Sequence, residues 1–209
     1  MIVWLVGYMG SGKSSIGRRV ARSAGYGFID TDREVEQKAG ASVAEIFERE
    51  GEAKFRRLER EVLEEVAGGA RGIAENAETG ESGGPEGVVV VATGGGMPCF
   101  GDNMEYMNRT GLTIYLRSGV ERLAARLGPG RERRPLLKGM DDEALAAYVG
   151  SNMRAREEFY MRAAAVIECD GACDDYVVRQ IAGIAAQYCG LERRKASDGA
   201  RPPEEGGGE

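Results

Sequence analysis

The eight residues Gly7-Tyr8-Met9-Gly10-Ser11-Gly12-Lys13-Ser14 follow directly on the apolar run Ile2 to Val6 and lead into a helical pattern from Ile16 to Ala24. The spacing is G-x-x-x-x-G-K-[ST], and a strand before it with a helix after it is the context in which this pattern wraps a phosphate. Glycines let backbone N–H groups converge on one anion, and the helix N-terminus adds the positive end of its dipole. Lys13 can then reach the β- and γ-oxygens, while the Ser14 hydroxyl is offered to Mg²⁺. Gly10, Ser11, Gly12, Lys13, Ser14 and Ser15 are therefore expected to bind the phosphates of ATP. GTPases, ATPases and small-molecule kinases share such a loop, so it leaves the acceptor open.

Four further short apolar runs, Phe28 to Ile29, Val88 to Val91, Leu112 to Leu116 and Ala165 to Ile167, are separated by longer stretches of helical period. Near-continuous apolar strands with helical crossovers predict an α/β three-layer sandwich around a five-stranded parallel sheet. Between Ser42 and Val66, the residues Phe55, Leu58, Val62 and Val66 recur every three or four positions and predict an amphipathic helix. The Gly/Glu/Ser-rich text from Ala67 to Gly87 has hardly an apolar residue and is read as a mobile surface insertion. One domain over 1–191 is expected, with that insertion at about 68–87, a helical substrate-binding segment at about 33–62, a lid at about 127–139 and a disordered tail over 192–209.

Composition narrows the chemistry. A net charge of −6 argues against a general nucleic-acid binder, which needs a basic face. The chain has no histidine, so proton transfer falls to a carboxylate or to the phosphate itself. Its four cysteines, Cys99, Cys169, Cys173 and Cys189, form no zinc-ligand pattern. Cys99 is read as a small buried hydrophobe. The first apolar run is too short for a signal peptide or membrane span, so a cytoplasmic protein is expected, without a membrane partner. No spare apolar stripe points to an obligate interface, and a monomer is expected.

At the end of the second run, Asp30-Thr31-Asp32 places two carboxylates at i and i+2, on one side of an extended chain and at the carboxyl edge where α/β sheets bind ligands. One could assist Mg²⁺ and the other accept the proton of an acceptor hydroxyl, although an Asp before a helix is often only an N-cap. Thr93-Gly94-Gly95-Gly96 marks a tight turn or a close backbone approach. Arg131-Glu132-Arg133-Arg134-Pro135-Leu136-Leu137 follows a glycine- and proline-broken loop and reads as a basic lid able to cover ATP.

These segments together, GYMGSGKSSIGRRVA, GFIDTDREVE, GASVAEIFEREGEAKFRRLE, VVATGGGMP and RRPLL, resemble the shikimate kinases over nearly all of Met1 to Leu191. The resemblance implies a fold of P-loop NTPase type with a mobile lid. It also implies a cytoplasmic enzyme that moves the γ-phosphate of ATP, with Mg²⁺, onto the 3-hydroxyl of shikimate. It makes Asp30 an aid to the metal site alongside Ser14, and Asp32 the residue that binds the acceptor hydroxyl as candidate base. Arg56 and Arg156 become a fork around the shikimate carboxylate, with Gly94, Gly95 and Gly96 as binding residues. Arg134 becomes the lid arginine at the transferring group, and Arg126 the arginine that stacks on adenine. A proline common two residues after the second fork arginine is Glu158 here, so Arg154 and Arg162 remain alternatives to Arg156. A kinase of gluconate or of a nucleoside monophosphate, and a nucleotide-binding regulatory module without catalysis, are the rival readings.

Overall fold

The computed structural model describes residues 1–73, 87–134 and 136–198. Its first element, β1 (Ile2–Val6), is buried at every position. The residues Ile2, Trp4 and Val6 face one apolar cluster, Val3 and Leu5 the other. A strand with water on neither side is a central strand, and β1 lies in the middle of a parallel sheet. Its neighbours are β2 (Gly27–Asp30), β3 (Val89–Ala92), β4 (Leu112–Arg117) and β5 (Ala165–Glu168), in the order β2-β3-β1-β4-β5. Pairing is parallel throughout, with Trp4 opposite Val91 on one side and Thr113 on the other. The five expected strands are all present.

Two helices cover one face. These are α1 (Lys13–Ala24), through Ile16, Val20 and Ala21, and α7 (Asp174–Asp198), through Val177, Val178 and Ile181. The other face is covered by α2 (Thr31–Ala39), α3 (Val43–Ile73), α4 (Asn103–Thr110), α5 (Val120–Leu127) and α6 (Asp142–Tyr160). Local chemistry sets several of these boundaries. Ser42 and Glu45 form a reciprocal cap at the start of α3, with Ser42 N–H to Glu45 Oε2 at 2.9 Å and Glu45 N–H to Ser42 Oγ at 3.3 Å. Asp141 caps α6 by accepting the Ala144 N–H at 2.7 Å.

Three boundaries correct the sequence reading. The helix expected over 42–66 is broken at Gly51 and runs on past Val66 to Ile73 with a second break at Gly69, so the first residues of the anticipated insertion are mostly helical; 74–86 lie outside the described residues. The last helix runs to Asp198 rather than ending near Leu191, and 199–209 likewise lie outside. At the end of β2, the strand stops at Asp30, whose carboxylate accepts the Asp32 N–H at 3.2 Å and caps α2. Asp32 is therefore in the first turn of a helix, and the extended i, i+2 geometry does not apply.

Candidate active site

The site forms where the carboxyl edges of β1, β2 and β3 meet. The loop after β1 takes left-handed backbone at Gly10 (φ 83°) and Gly12 (φ 99°), conformations open to glycine and strained for other residues. Lys13 opens α1 and is almost fully buried, at 7 % exposure. Its ammonium donates to the carbonyls of Gly7 at 2.7 Å and Tyr8 at 2.9 Å, folded over its own loop. Burial lowers the lysine from the usual range to about 8, against the upward pull of Asp32 and Asp30. Ser14 is half-buried on the next residue, whereas Ser15 is exposed and its hydroxyl donates back to the Gly12 carbonyl at 3.1 Å.

The residue Asp32 is exposed, yet its carboxylate is crowded on one side. Desolvation by that crowding and the charge of Asp30 push its carboxyl up to about 6, while Lys13 and Arg56 pull the other way. Water on the open side screens these effects. The glycine turn after β3 supplies the crowding. A Cβ on Gly94 would lie 2.5 Å from Asp32 Oδ1 and 2.9 Å from Glu59 Oε1, and one on Gly96 would lie 2.5 Å from an Arg56 nitrogen. Only glycine allows two acids and a guanidinium to close on this backbone. The Gly94 N–H donates to Thr31 Oγ1 at 2.9 Å and pins the turn to the start of α2.

Arg56 sits on α3, 12 % exposed, and donates to Glu59 Oε2 at 2.7 Å and to Glu52 Oε1 at 2.9 Å. The same guanidinium lies against Gly96, at the glycine turn after β3. Glu59 is 1 % exposed, and its burial raises the carboxyl to about 7 despite the opposing Arg56 charge. The Arg56 charge is therefore shared between the buried Glu59 and the exposed Glu52. Glu59 was missed from the sequence; the available signal was an acid three residues after Arg56, beside the buried Leu58.

Among the three arginines near the end of α6, the structure distinguishes clearly. Arg162 pairs with Glu105 at 2.7 Å and lies over Phe159. Arg154 is exposed, beside Gly150 and facing Val120's end of α5. Arg156 alone reaches the phosphate loop, its guanidinium 5.6 Å from the ring centre of Tyr8. Cys99, expected as a buried hydrophobe, is instead half-buried at this wall. Burial pushes its thiol up, with a Tyr160 hydrogen bond and the charges of Arg156 and Arg56 acting against it.

The donor-side residues are less assembled. Arg126, at the end of α5, is exposed and donates weakly to the carbonyls of Gly10 at 3.5 Å and Ser11 at 3.4 Å. Its other nitrogen pairs with Asp174 at 3.1 Å, so it flanks the phosphate loop. Arg134 is exposed and folds back on its own segment, one nitrogen 2.6 Å from where a Cβ on Gly130 would stand. No described polar contact joins it to the phosphate loop. The intervening Gly128–Arg133 forms a 3-10 turn tethered by an Arg131–Asp142 ion pair.

The cleft thus combines an anion cradle, a carboxylate beside it and two arginines from separate helices, a layout suited to moving a phosphoryl group onto a small anionic acceptor. Comparisons with known proteins agree with that geometry. The family model described as "Shikimate kinase" matches residues 9–75 and 83–184. A shikimate kinase of Parabacteroides distasonis is 40% identical over 168 residues, covering 80% of this chain and 87% of the relative. The crystal structure of shikimate kinase from Bacteroides thetaiotaomicron superposes with a TM-score of 0.74 at 35% identity, covering 90% of this chain and 97% of that one. Shikimate kinase from Acinetobacter baumannii, solved in complex with shikimate, superposes with a TM-score of 0.72 at 30% identity, covering 90% and 93%. The chain belongs to the shikimate kinase family.

Proposed function

We propose that the protein binds MgATP in the loop from Gly10 to Ser15 and transfers the γ-phosphate to the 3-hydroxyl of shikimate. The observation that carries this reading is the grouping of Lys13 and Asp32 with Arg56 and Arg156 in one cleft. Two arginines suit a planar carboxylate, and their separation on α3 and α6 lets them approach it from two sides. The Acinetobacter relative's shikimate complex supports that acceptor for a cleft built on the same fold. A gluconate kinase would share the carboxylate, but the Asp-Thr-Asp and Thr-Gly-Gly-Gly segments favour shikimate. A silent regulatory module is disfavoured by intact Lys13, Asp32 and Arg134.

In the proposed step the hydroxyl oxygen forms a bond to the γ-phosphorus as the bond to the ADP oxygen breaks, roughly in line. Asp32 orients the hydroxyl and takes its proton, a role suited to a carboxyl poised near 6. Lys13 leaves the Gly7 and Tyr8 carbonyls to hold phosphate oxygens, and Arg134 reaches the transferring group when the lid closes. Arg126 lies against adenine. Closure that depends on acceptor would keep water from the γ-phosphate. The metal site suits Mg²⁺: Ser14 offers a hydroxyl, and Asp30, with one oxygen on the Asp32 N–H, keeps a second oxygen without a partner among the described residues. Mg²⁺ there would neutralise charge developing on the phosphates. All four cysteines are free thiols, which supports a reducing compartment, the cytoplasm. Among the described residues no helix is long and apolar enough to cross a membrane.

ADP release from MgATP should be measured in parallel with shikimate, gluconate, nucleoside monophosphates and no acceptor. Turnover with shikimate alone is expected. Turnover only with another acceptor would sink the substrate assignment, and silence with all of them despite ATP binding would favour the regulatory reading.

A further inference from the structure

Tyr160 ends α6 at full burial, one helical turn after Arg156. Its hydroxyl donates to the carbonyl of Gly95 at 2.6 Å, across 65 residues of sequence. The ring packs on Tyr115 with centroids 5.2 Å apart and planes tilted by 34°, which fixes the direction in which the hydroxyl points. The chain then turns sharply, with the Met161 N–H on Glu157 O at 2.8 Å and the Ala163 N–H on Tyr160 O at 3.1 Å. The hydroxyl is therefore held by the helix end and the ring together.

What it holds matters for the acceptor. Gly95 lies in the turn between Gly94, which touches Asp32 and Glu59, and Gly96, which touches Arg56. Gly95 also backs directly on the phosphate loop, since a Cβ there would stand 3.1 Å from the Met9 nitrogen. Arg156 meets the same loop over Tyr8. One phenol oxygen thus joins the helix that carries one acceptor arginine to the turn that seats the other.

We propose that Tyr160 is a positioning residue for the acceptor, fastening the Arg156 end of α6 to the glycine turn so that the two arginines keep one spacing. The inference rests on the shikimate kinase reading above. Tyr160 takes no part in proton transfer. Burial, with Cys99 adding to it, raises its phenol far above neutrality, although Arg156 opposes this by charge and hydrogen bond. The hydroxyl stays protonated as a donor and stands behind Gly95 rather than on the reacting atoms.

The test is steady-state kinetics of Tyr160→Phe with shikimate varied at saturating MgATP, alongside its melting temperature. The ring and its volume remain, so the core keeps its packing. The expected result is a KM for shikimate raised about tenfold, equivalent to about 1.4 kcal/mol, with kcat and the KM for ATP within about twofold of wild type. In a cycle with Arg156→Lys, the double variant should be little worse than Arg156→Lys alone, because both changes act on one guanidinium. An unchanged KM for shikimate with a lower melting temperature, multiplicative effects in the cycle, or loss of folded protein would each make Tyr160 a stability residue and overturn the proposal. Wild-type protein that releases no ADP in response to shikimate would instead overturn the substrate reading on which it stands.

Discussion

At the scale of single residues, Asp32 and Lys13 are both held away from their ordinary protonation ranges. Asp32 must be ionised to receive a proton, so kcat/KM for shikimate should fall as pH drops through about 6. Lys13 must be charged to hold phosphate, so in the free enzyme kcat/KM should fall again as pH rises through about 8. A bell with limbs near these values is the expected profile, and a flat line across the whole range would remove Asp32 and Lys13 from these roles. Asp32→Asn should lower kcat by about 10²–10⁴-fold while leaving nucleotide affinity, measured by titration, close to wild type. A near-normal kcat would dismiss the base. The placement of Lys13 and Ser14 at the start of α1 was legible in the sequence because a contiguous loop carries them and its spacing is itself the geometry. Glu59 and Tyr160 were not, because their importance comes from what packs on them from Gly94, Gly95 and Arg56. Asp32 was legible as a residue and misread as a conformation: capping by Asp30 starts the helix at Thr31 and puts Asp32 on its first turn.

Elements rather than residues decide how closely the layers approach. On α1, Gly17 is buried in mid-helix, where alanine would ordinarily gain up to about 1 kcal/mol. Here a Cβ would stand 2.8 Å from Phe28 Cε2 and 3.1 Å from Leu5 Cδ1, on the side chains of β2 and β1. The packing term should win, since overfilling a tight core costs about 1–3 kcal/mol. Gly17→Ala is expected to lower the melting temperature, and a more stable variant would show that α1 can move off the sheet at little cost. Apolar strands and helical period were enough to read the five-stranded sheet, since burial on both faces leaves a continuous signature. The extents of α3 and α7 were not readable, because the polar text to which each runs on, glycine-bearing after Val66 and charged after Leu191, has no apolar period to show whether a preceding helix propagates into it. Arg156 was picked from the sequence by resemblance alone, and the rotation of α6 is what sets it apart physically from Arg154 and Arg162.

For the molecule as a whole, a ligand that binds only the folded chain must raise its melting temperature by mass action. MgADP at about a hundred times its dissociation constant should add about 2.7 kcal/mol, a shift of several degrees for a chain of this size. Absence of any shift at that concentration would contradict the phosphate-loop assignment. The order β2-β3-β1-β4-β5 sets the plan on which such binding acts. Lys13, Asp32, Arg56 and the glycine turn come from the chain up to the end of β3 and its turn, while Arg126, Arg134 and Arg156 all come after it. The helix carrying Arg156 nevertheless returns across β1 to the earlier half. On the proposed function, a cut in the backbone near Gly101 should therefore yield two pieces, each supplying one hand of the cleft and neither able to close it. Activity from such halves could reappear only on reassociation, and its concentration dependence would count how many pieces one site needs.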